Sequence, residues 1–375
     1  MEKHYTLLKT AQLLGVTTQT LRNWDNAKKI RTVRTVGNQR RVPESEIVRL
    51  LGSAVPEVAE VKHKPQRTTA VVVETKDNML LMCKDAAVYD ITENRVLNGD
   101  LLPGSMLKKT KTYSDWMKTR FCRETNFSAG RLMQRAFGTF DHEKAVAETR
   151  ALSLSDCYWL KKQNENVLFD DVTPYVHKEW DGTSQYKTGS LSTLFTGGTS
   201  DKYWQSSKAL LKVNSFNEYE PYVLCSALGI ENIADIQMSD EGILVTNFTS
   251  TSCFLETMEQ SGETGESDNL YEKAALLFKE QAVALFVVDY FVENKNRHSR
   301  NYGFLRDTNT GEYISMAPYY GFKRIWSGDV TPIPESVLQE YRGYINNLCR
   351  WAISAAGGFE YGTIIERRAR ELLRI

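Results

Sequence analysis

The sequence predicts an α+β protein of several domains: a winged helix-turn-helix unit at the N-terminus, then a two-lobed α+β body preceded by its own α+β subdomain. Three observations predict it. Charge is lopsided, because residues 1–51 hold ten Lys or Arg against four Asp or Glu, while the whole chain balances 47 basic against 47 acidic residues. From about Ala70 the pattern turns to short β-rich runs alternating with helical spacing. The apolar run 282–288 then feeds a polar loop, residues 293–321, rich in Asn, Arg and His. At 375 residues the chain is too long for one ordinary core. It divides as 1–52, a linker over 53–69, a subdomain over 70–181 and a final domain over 182–375.

In residues 5–15, Leu8, Ala11 and Leu14 share one helical face, with Thr10 placed to begin the helix and Gly15 to break it. Residues 16–24 read as a second helix, with Val16 and Thr17 as turn and N-cap and with Leu21 and Trp24 as its apolar side. Residues 28–42 alternate as two basic strands about Gly37 and Asn38, and Pro43 to Ile47 open a further helix. Helix, Gly turn, short polar helix and basic hairpin make a helix-turn-helix with a wing. The unit resembles the MerR-like and excisionase-like winged helices, including those that begin certain transposon-encoded serine recombinases. The resemblance implies that the second helix enters the major groove of double-stranded DNA. Thr18, Gln19, Arg22 and Asn23 would then reach base edges, Gln and Asn suiting adenine and Arg guanine. Lys28, Lys29, Arg31, Arg34, Arg40 and Arg41 would meet phosphates. A homodimer is the expected state, since one short basic unit gives limited affinity alone.

Residues 53–69 carry two prolines and mixed charge without periodicity, which predicts a linker. Beyond it, Val71 to Val73 and Leu80 to Met82 are expected to form a hairpin about Lys76, Asp77 and Asn78, with residues 87–91 extending the sheet. Helices are expected near 116–120 and 130–137. In residues 152–159, Asp156, Tyr158 and Trp159 have no catalytic spacing and read as structural.

Residues 182–201 are rich in Gly, Ser and Thr, and the apolar strand 209–213 that follows carries one Lys, Lys212. A Gly loop ahead of a strand Lys is how kinase folds cover and grip a triphosphate. Further on, Asn296-Arg297-His298-Ser299-Arg300-Asn301-Tyr302-Gly303 precedes Ala317-Pro318-Tyr319-Tyr320-Gly321. These stretches resemble the HipA-like kinases, whose loop reads Asp-Arg-His-x-x-Asn-x-Gly and is followed by Ala-Pro-x-x-Asp. The resemblance implies a bilobal kinase fold with its N-terminal subdomain. Thr196, Gly197, Gly198, Thr199, Ser200 and Lys212 would bind nucleotide, and Asn301 would bind metal. Both family aspartates are replaced, by Asn296 and Gly321. An amide carries no charge and cannot act as a base near neutral pH, and glycine has no side chain. No catalytic residue is therefore assigned. Glu218 and Glu220 lie near the place of the lysine's carboxylate partner, but Tyr222 occupies the aligned position. A β-rich run at 242–248 would end at the hinge between lobes, 259–269 reads as an acidic loop, and 337–356 and 363–375 read as helices, the last packing its apolar face in the core.

Six cysteines fall singly, which fits reduced thiols better than disulfides or zinc. No apolar run approaches the ~20 residues a bilayer requires and the first residues do not resemble a signal peptide, so a cytoplasmic protein is expected. The leading expectation is a sequence-specific DNA-binding transcriptional regulator whose HipA-like part is a pseudokinase. That part would bind ATP with or without Mg, another small ligand or a protein. An active Ser/Thr kinase using a displaced carboxylate (Asp289, Glu293 or Asp329) and an excision accessory factor of a mobile element stand as alternatives.

Overall fold

A computed structural model describes residues 4–7, 10, 14, 21, 24–34, 40–51, 78–122, 126–176, 191–198, 200–263, 269–322 and 325–374. The chain divides into two compact units, Met1–Glu74 and Thr75–Ile375. The linker expected over 53–69 lies outside the described residues.

The first unit holds a three-stranded antiparallel sheet in the order β1 (His4–Thr6), β3 (Arg40–Pro43), β2 (Val33–Arg34), followed by helix α1 (Glu44–Leu51). Leu7, Thr10 and Leu14 are helical, as are Leu21 and residues 24–26. Leu21, Ile30, Val42 and Ile47 form the core, with Tyr5, Leu7, Leu14, Trp24 and Leu50 against it. Each such aliphatic side chain contributes about 1.5–3 kcal/mol on full burial. The two expected wing strands are present, and their turn over 35–39 lies outside the described residues. Strand β1 was not expected. Tyr5 stands opposite Val42 and its hydroxyl donates to Glu44 at 2.9 Å, so the chain entry is spent closing the sheet.

The second unit begins with a sheet ordered β6 (Arg95–Val96), β5 (Ala86–Asp90), β4 (Met79–Cys83), β7 (Tyr158–Lys162). Leu80 to Met82 do form a hairpin, but with β5 through a turn at Lys84 and Asp85. The proposed partner run 71–73 lies outside the described residues. Short helix α2 (Gly104–Leu107) and helices α3 (Tyr113–Arg120), α4 (Phe127–Phe137), α5 (His142–Thr149) and α6 (Phe169–Val172) complete this part. Thr112, Asn126 and Asp141 cap α3, α4 and α5 through their side chains. Asp156, Tyr158 and Trp159 are structural here: Asp156 holds the buried Arg120 at 2.7 Å, the Tyr158 hydroxyl donates to the Leu101 carbonyl, and the Trp159 indole donates to the Lys84 carbonyl.

A second sheet runs β10 (Ile236–Ser239), β11 (Gly242–Thr246), β9 (Ala209–Val213), β8 (Lys202–Ser206), with helix α7 (Tyr219–Ala227) beside it. A third runs β12 (Cys253–Thr257), β13 (Gly303–Asp307), β14 (Tyr313–Met316). The stretch expected as a loop from Glu259 instead opens within helix α8 (Met258–Ser261), capped by Thr257 and Gln260, which bond reciprocally. Helices α9 (Leu270–Phe278), α10 (Glu280–Phe291), α11 (Glu335–Glu340), α12 (Arg342–Ala355) and α13 (Gly362–Arg374) build the largest core. Helix α10 is apolar all round because every side chain from Ala282 to Val288 is buried. Ile365, Ala369 and Leu372 bury the inner face of α13 in the same core. Among the described residues no helix is long and apolar enough to cross a membrane.

Candidate functional site

In the first unit most of the described basic residues are those of the wing and its approach; Arg49 on α1 is tied to Glu46 at 2.7 Å. Lys28, Lys29, Arg31 and Arg34 are exposed, and Arg40 and Arg41 are half-buried. Lys28 adopts a left-handed φ of 55°, so the helix ending at Asn26 stops without a glycine, and the Lys29 amide returns to the Trp24 carbonyl at 2.7 Å. Arg40 is tied to Asp25 at 3.0 Å, and Thr32 donates to the other oxygen of the same carboxylate at 2.8 Å. This fixes the wing strand to the helix end. Thr18, Gln19, Arg22 and Asn23, the expected base-reading residues, lie outside the described residues.

In the second unit, strand β9 carries Lys212 to a buried position, where its ammonium meets the Glu218 carboxylate. Glu218 ends a 3-10 turn, Phe216–Glu218, directly ahead of α7. The partner is therefore Glu218, six residues along the chain. Gly242 on β11 faces the Lys212 carbonyl so closely that a Cβ there would strike it, and its φ of 152° also excludes other residues at low cost. The second oxygen of Glu218 is buried without a hydrogen bond, as is the hydroxyl of Tyr222 one turn away. Burial, together with the charge of Glu218, pushes the Tyr222 phenol well above its usual range. Tyr222 lies beside the Gly321 amide and meets Phe322 edge-on at 5.2 Å. Lys212, Glu218, Tyr222 and Gly321 are thus brought to one place.

The polar loop starts where α10 ends. Asp289 accepts two bonds from the Arg297 guanidinium, at 2.7 and 2.9 Å, and one from the Asn294 amide at 2.7 Å. Burial works against the Arg297 charge, but the Asp289 carboxylate more than offsets it and holds the guanidinium above its usual range. Arg297 also donates to the carbonyls of Asn301 and Tyr320, both at 2.8 Å, which ties residues 296–303 to residues 317–321. Tyr319 pairs in parallel with Ile233, fixing the approach to Gly321 beside the end of α7.

Asn301, the expected metal ligand, is turned inward. Its Nδ2 donates to the Asn296 carbonyl at 2.6 Å, while its Oδ1 accepts the His298 amide at 3.1 Å and Arg297 at 3.4 Å. Both oxygen lone pairs are taken. The Asn296 side chain, half-buried, bonds to no other described residue. Gly321 has a φ of 83°, and a Cβ on it would lie 2.9 Å from the Asn301 Cβ. The loop leaves no room for a side chain at position 321 without a shift of Asn301. These residues do not fit magnesium, which takes carboxylate or other free oxygen ligands. Among the described residues no cluster of His, Cys, Asp and Glu is arranged to hold a metal ion.

The carboxylates that stood as substitutes are all engaged. Asp289 is in its buried pair. Glu293 accepts Arg367, Arg368 and the Gly328 amide, at 2.8 Å each. Asp329 is paired with Lys295.

The Gly loop is pinned at both ends. The Gly197 amide donates to the Arg120 carbonyl at 2.9 Å, Asn126 donates to the Ser200 carbonyl at 2.9 Å, and Asp201 accepts the Ser128 amide at 2.7 Å. Thr196 spends its hydroxyl on the Ser192 carbonyl and on the Trp204 indole. Gly198 between these anchors is exposed. Thr199 lies outside the described residues. One cation of this region has no counterpart in the reading from sequence: Lys202, which stands directly opposite Lys212 in the β8–β9 register.

Residues 9–42 match the family of MerR family regulatory proteins. No curated protein matches the chain. Among solved structures the chain is similar to a chain of the Shewanella oneidensis MR-1 toxin-antitoxin system HipA, HipB and operator DNA complex. That similarity has 13% identity, covers 79% of this chain and 96% of that one, and has a TM-score of 0.39.

Proposed function

We propose that this chain is a cytoplasmic, sequence-specific DNA-binding transcriptional regulator, acting as a homodimer, whose second unit is a pseudokinase that binds nucleotide without transferring phosphate. The match of residues 9–42 to MerR family regulatory proteins supports the first half. The wing strands and their exposed cations agree with it, since phosphate contacts need accessible Lys and Arg. Light scattering on DNA is expected to give two chains per site, and a monomer free and bound would refute the dimer.

The observation that carries the second half is the state of the acidic groups. In phosphoryl transfer one carboxylate orients the nucleophile and another holds metal. Here positions 296 and 321 have none, and Asp289, Glu293 and Asp329 are each held by a cation. Asp289 and Glu293 are also buried. What remains is the grip: Lys212 set by Glu218, with the Gly198 backbone open. A cation and backbone amides attract a polyanion without a base.

Selection of bound sequences from random duplex DNA tests the first half. Enrichment of one motif by the wild type, relaxed in Arg22→Ala and weakened for all sequences alike in Arg41→Ala, is the expected result. Equal binding by a chain lacking residues 1–51 would refute it.

A further inference from the structure

We infer that the outer face of α7 joins two copies of this chain, the helix packing antiparallel against its own copy across a two-fold axis at Val223. The inference rests on the homodimer reading above and deepens it by naming the surface that joins the copies.

Helix α7 is apolar on both sides. Its inner side buries Tyr222, Leu224 and Cys225 in the largest core. On its outer side, and in the turn that leads into it, Phe216, Tyr219 and Val223 are exposed, and exposed Ala227 continues the row. A surface helix normally turns charged and polar groups away from the core, whereas a helix apolar all round is one that is covered. This outer face carries no charge. Between Asn214 and Ile230 the charged residues are Glu218 and Glu220. Glu218 is buried against Lys212, and Glu220 accepts the Tyr361 amide at 3.3 Å. Met238, exposed on the edge strand β10, widens the apolar area. It stands opposite Ile243, which stands opposite Lys212, so it shares the sheet face that Lys212 turns towards Glu218 at the start of α7.

The shape of the row identifies its occupant. Tyr219, Val223 and Ala227 are spaced by four, and such a ridge meets its like in the commonest class of helix packing. The ridge is bulky at its start and small at its end, with Val223 midway. An antiparallel copy centred on Val223 sets each Tyr219 against the partner's Ala227, large on small, which fills the contact without a void. A parallel copy would set bulk on bulk at one end and leave a gap at the other. Charge agrees with the antiparallel arrangement. Glu231 is the first charge after the helix and is exposed, and antiparallel pairing brings it to the start of the partner helix, where the dipole favours an anion. A row without cations offers nothing to nucleic acid or to an acidic lipid surface.

Sedimentation equilibrium of the full chain without DNA, joined to cross-linking of Val223→Cys by a short bismaleimide, tests the inference. Thermal melting establishes that each variant folds. Val223→Cys is expected to give a cross-linked dimer that wild type does not give, because a residue on a two-fold axis faces itself. Ala227→Tyr sets bulk against bulk twice in each dimer and is expected to weaken it about a hundredfold. Tyr219→Ala combined with Ala227→Tyr exchanges the two sizes and is expected to recover most of that loss. A folded Ala227→Tyr chain that dimerises like wild type, or Val223→Cys without a cross-link, would overturn the inference. Two chains on each DNA site would then leave the homodimer reading standing, with the copies joined elsewhere. A wild type that is monomeric without DNA would also overturn the inference, and one that stays monomeric on DNA would overturn the homodimer reading with it.

Discussion

Replacing Gly321 by Asp would place a carboxylate where the HipA-like kinases that the sequence resembles carry one, and the packing around position 321 sets its cost. Position 321 has a φ of 83°, in the left-handed region, where a residue with a Cβ is disfavoured by about 1–2 kcal/mol. The new Cβ would meet the Asn301 Cβ at 2.9 Å, well inside the roughly 3.5–4.0 Å of an unstrained carbon contact. Asn301 cannot simply turn away, because its amide bonds to the Asn296 carbonyl, the His298 amide and Arg297. Forcing atoms into a packed site typically costs about 1–3 kcal/mol. Gly321→Asp is therefore expected to destabilise the second unit by roughly 2–5 kcal/mol in urea unfolding followed by tryptophan fluorescence. Gly321→Ala, which has the Cβ and no charge, is expected to lose most of the same amount. A Gly321→Asp protein within about 0.5 kcal/mol of wild type, an ordinary surface effect, would refute the claim that the loop leaves no room for a side chain at this position.

Asp289→Asn leaves the Arg297 guanidinium buried without its counter-charge and is expected to cost about 3–5 kcal/mol in the same unfolding experiment. DNA binding should weaken with salt, with a log-log slope of roughly −5 for a dimer making about three phosphate contacts per subunit, and Arg34→Ala should reduce that slope by roughly 2 in a filter-binding titration. Thiol reactivity gives a pH prediction. Burial pushes Cys122 up to about 11 and Cys83 and Cys349 up to about 12, against 9.0 for a free thiol. The folded state keeps these protons after the unfolded state has lost them. Stability is thus undiminished below about 9 and falls as pH rises towards the folded values. Partly exposed Cys253 is expected to react first with a disulfide reagent at neutral pH, and labelled-peptide mapping checks it.

Much of this arrangement was legible in the sequence because it rests on local patterns. The apolar run at 282–288, the Gly loop ahead of a Lys-bearing strand and the basic hairpin all follow from residues close together in the chain. The misreadings came from pairings that the local pattern does not choose. His4–Thr6 became a strand because its partner, Arg40–Pro43, lies far along the chain and buries Tyr5. Leu80 to Met82 paired forward across Lys84 and Asp85, although Asn78 offered a turn residue on the other side. The same limit applied at the site. The partner of Lys212 is Glu218, in a 3-10 turn just ahead of α7; the sequence places Glu218 and Glu220 near the lysine's partner but puts Tyr222 at the aligned position, and so does not choose between them. That Asp289 serves Arg297, and Glu293 serves Arg368, depends on where α10 ends and where α13 packs. That positions 296 and 321 carry no carboxylate is visible in the letters. The inward turn of Asn301 and the tight fit around Gly321 depend on packing.

The most direct test of the account is transfer of radiolabelled phosphate from ATP by the purified wild-type chain, compared with Lys212→Ala and with Asn296→Asp combined with Gly321→Asp. The account predicts no label above background on the chain or on an added protein substrate for wild type, and none for the double variant either, since Gly321→Asp disturbs the loop that would have to present the carboxylate. Labelling by wild type that disappears in Lys212→Ala would contradict it.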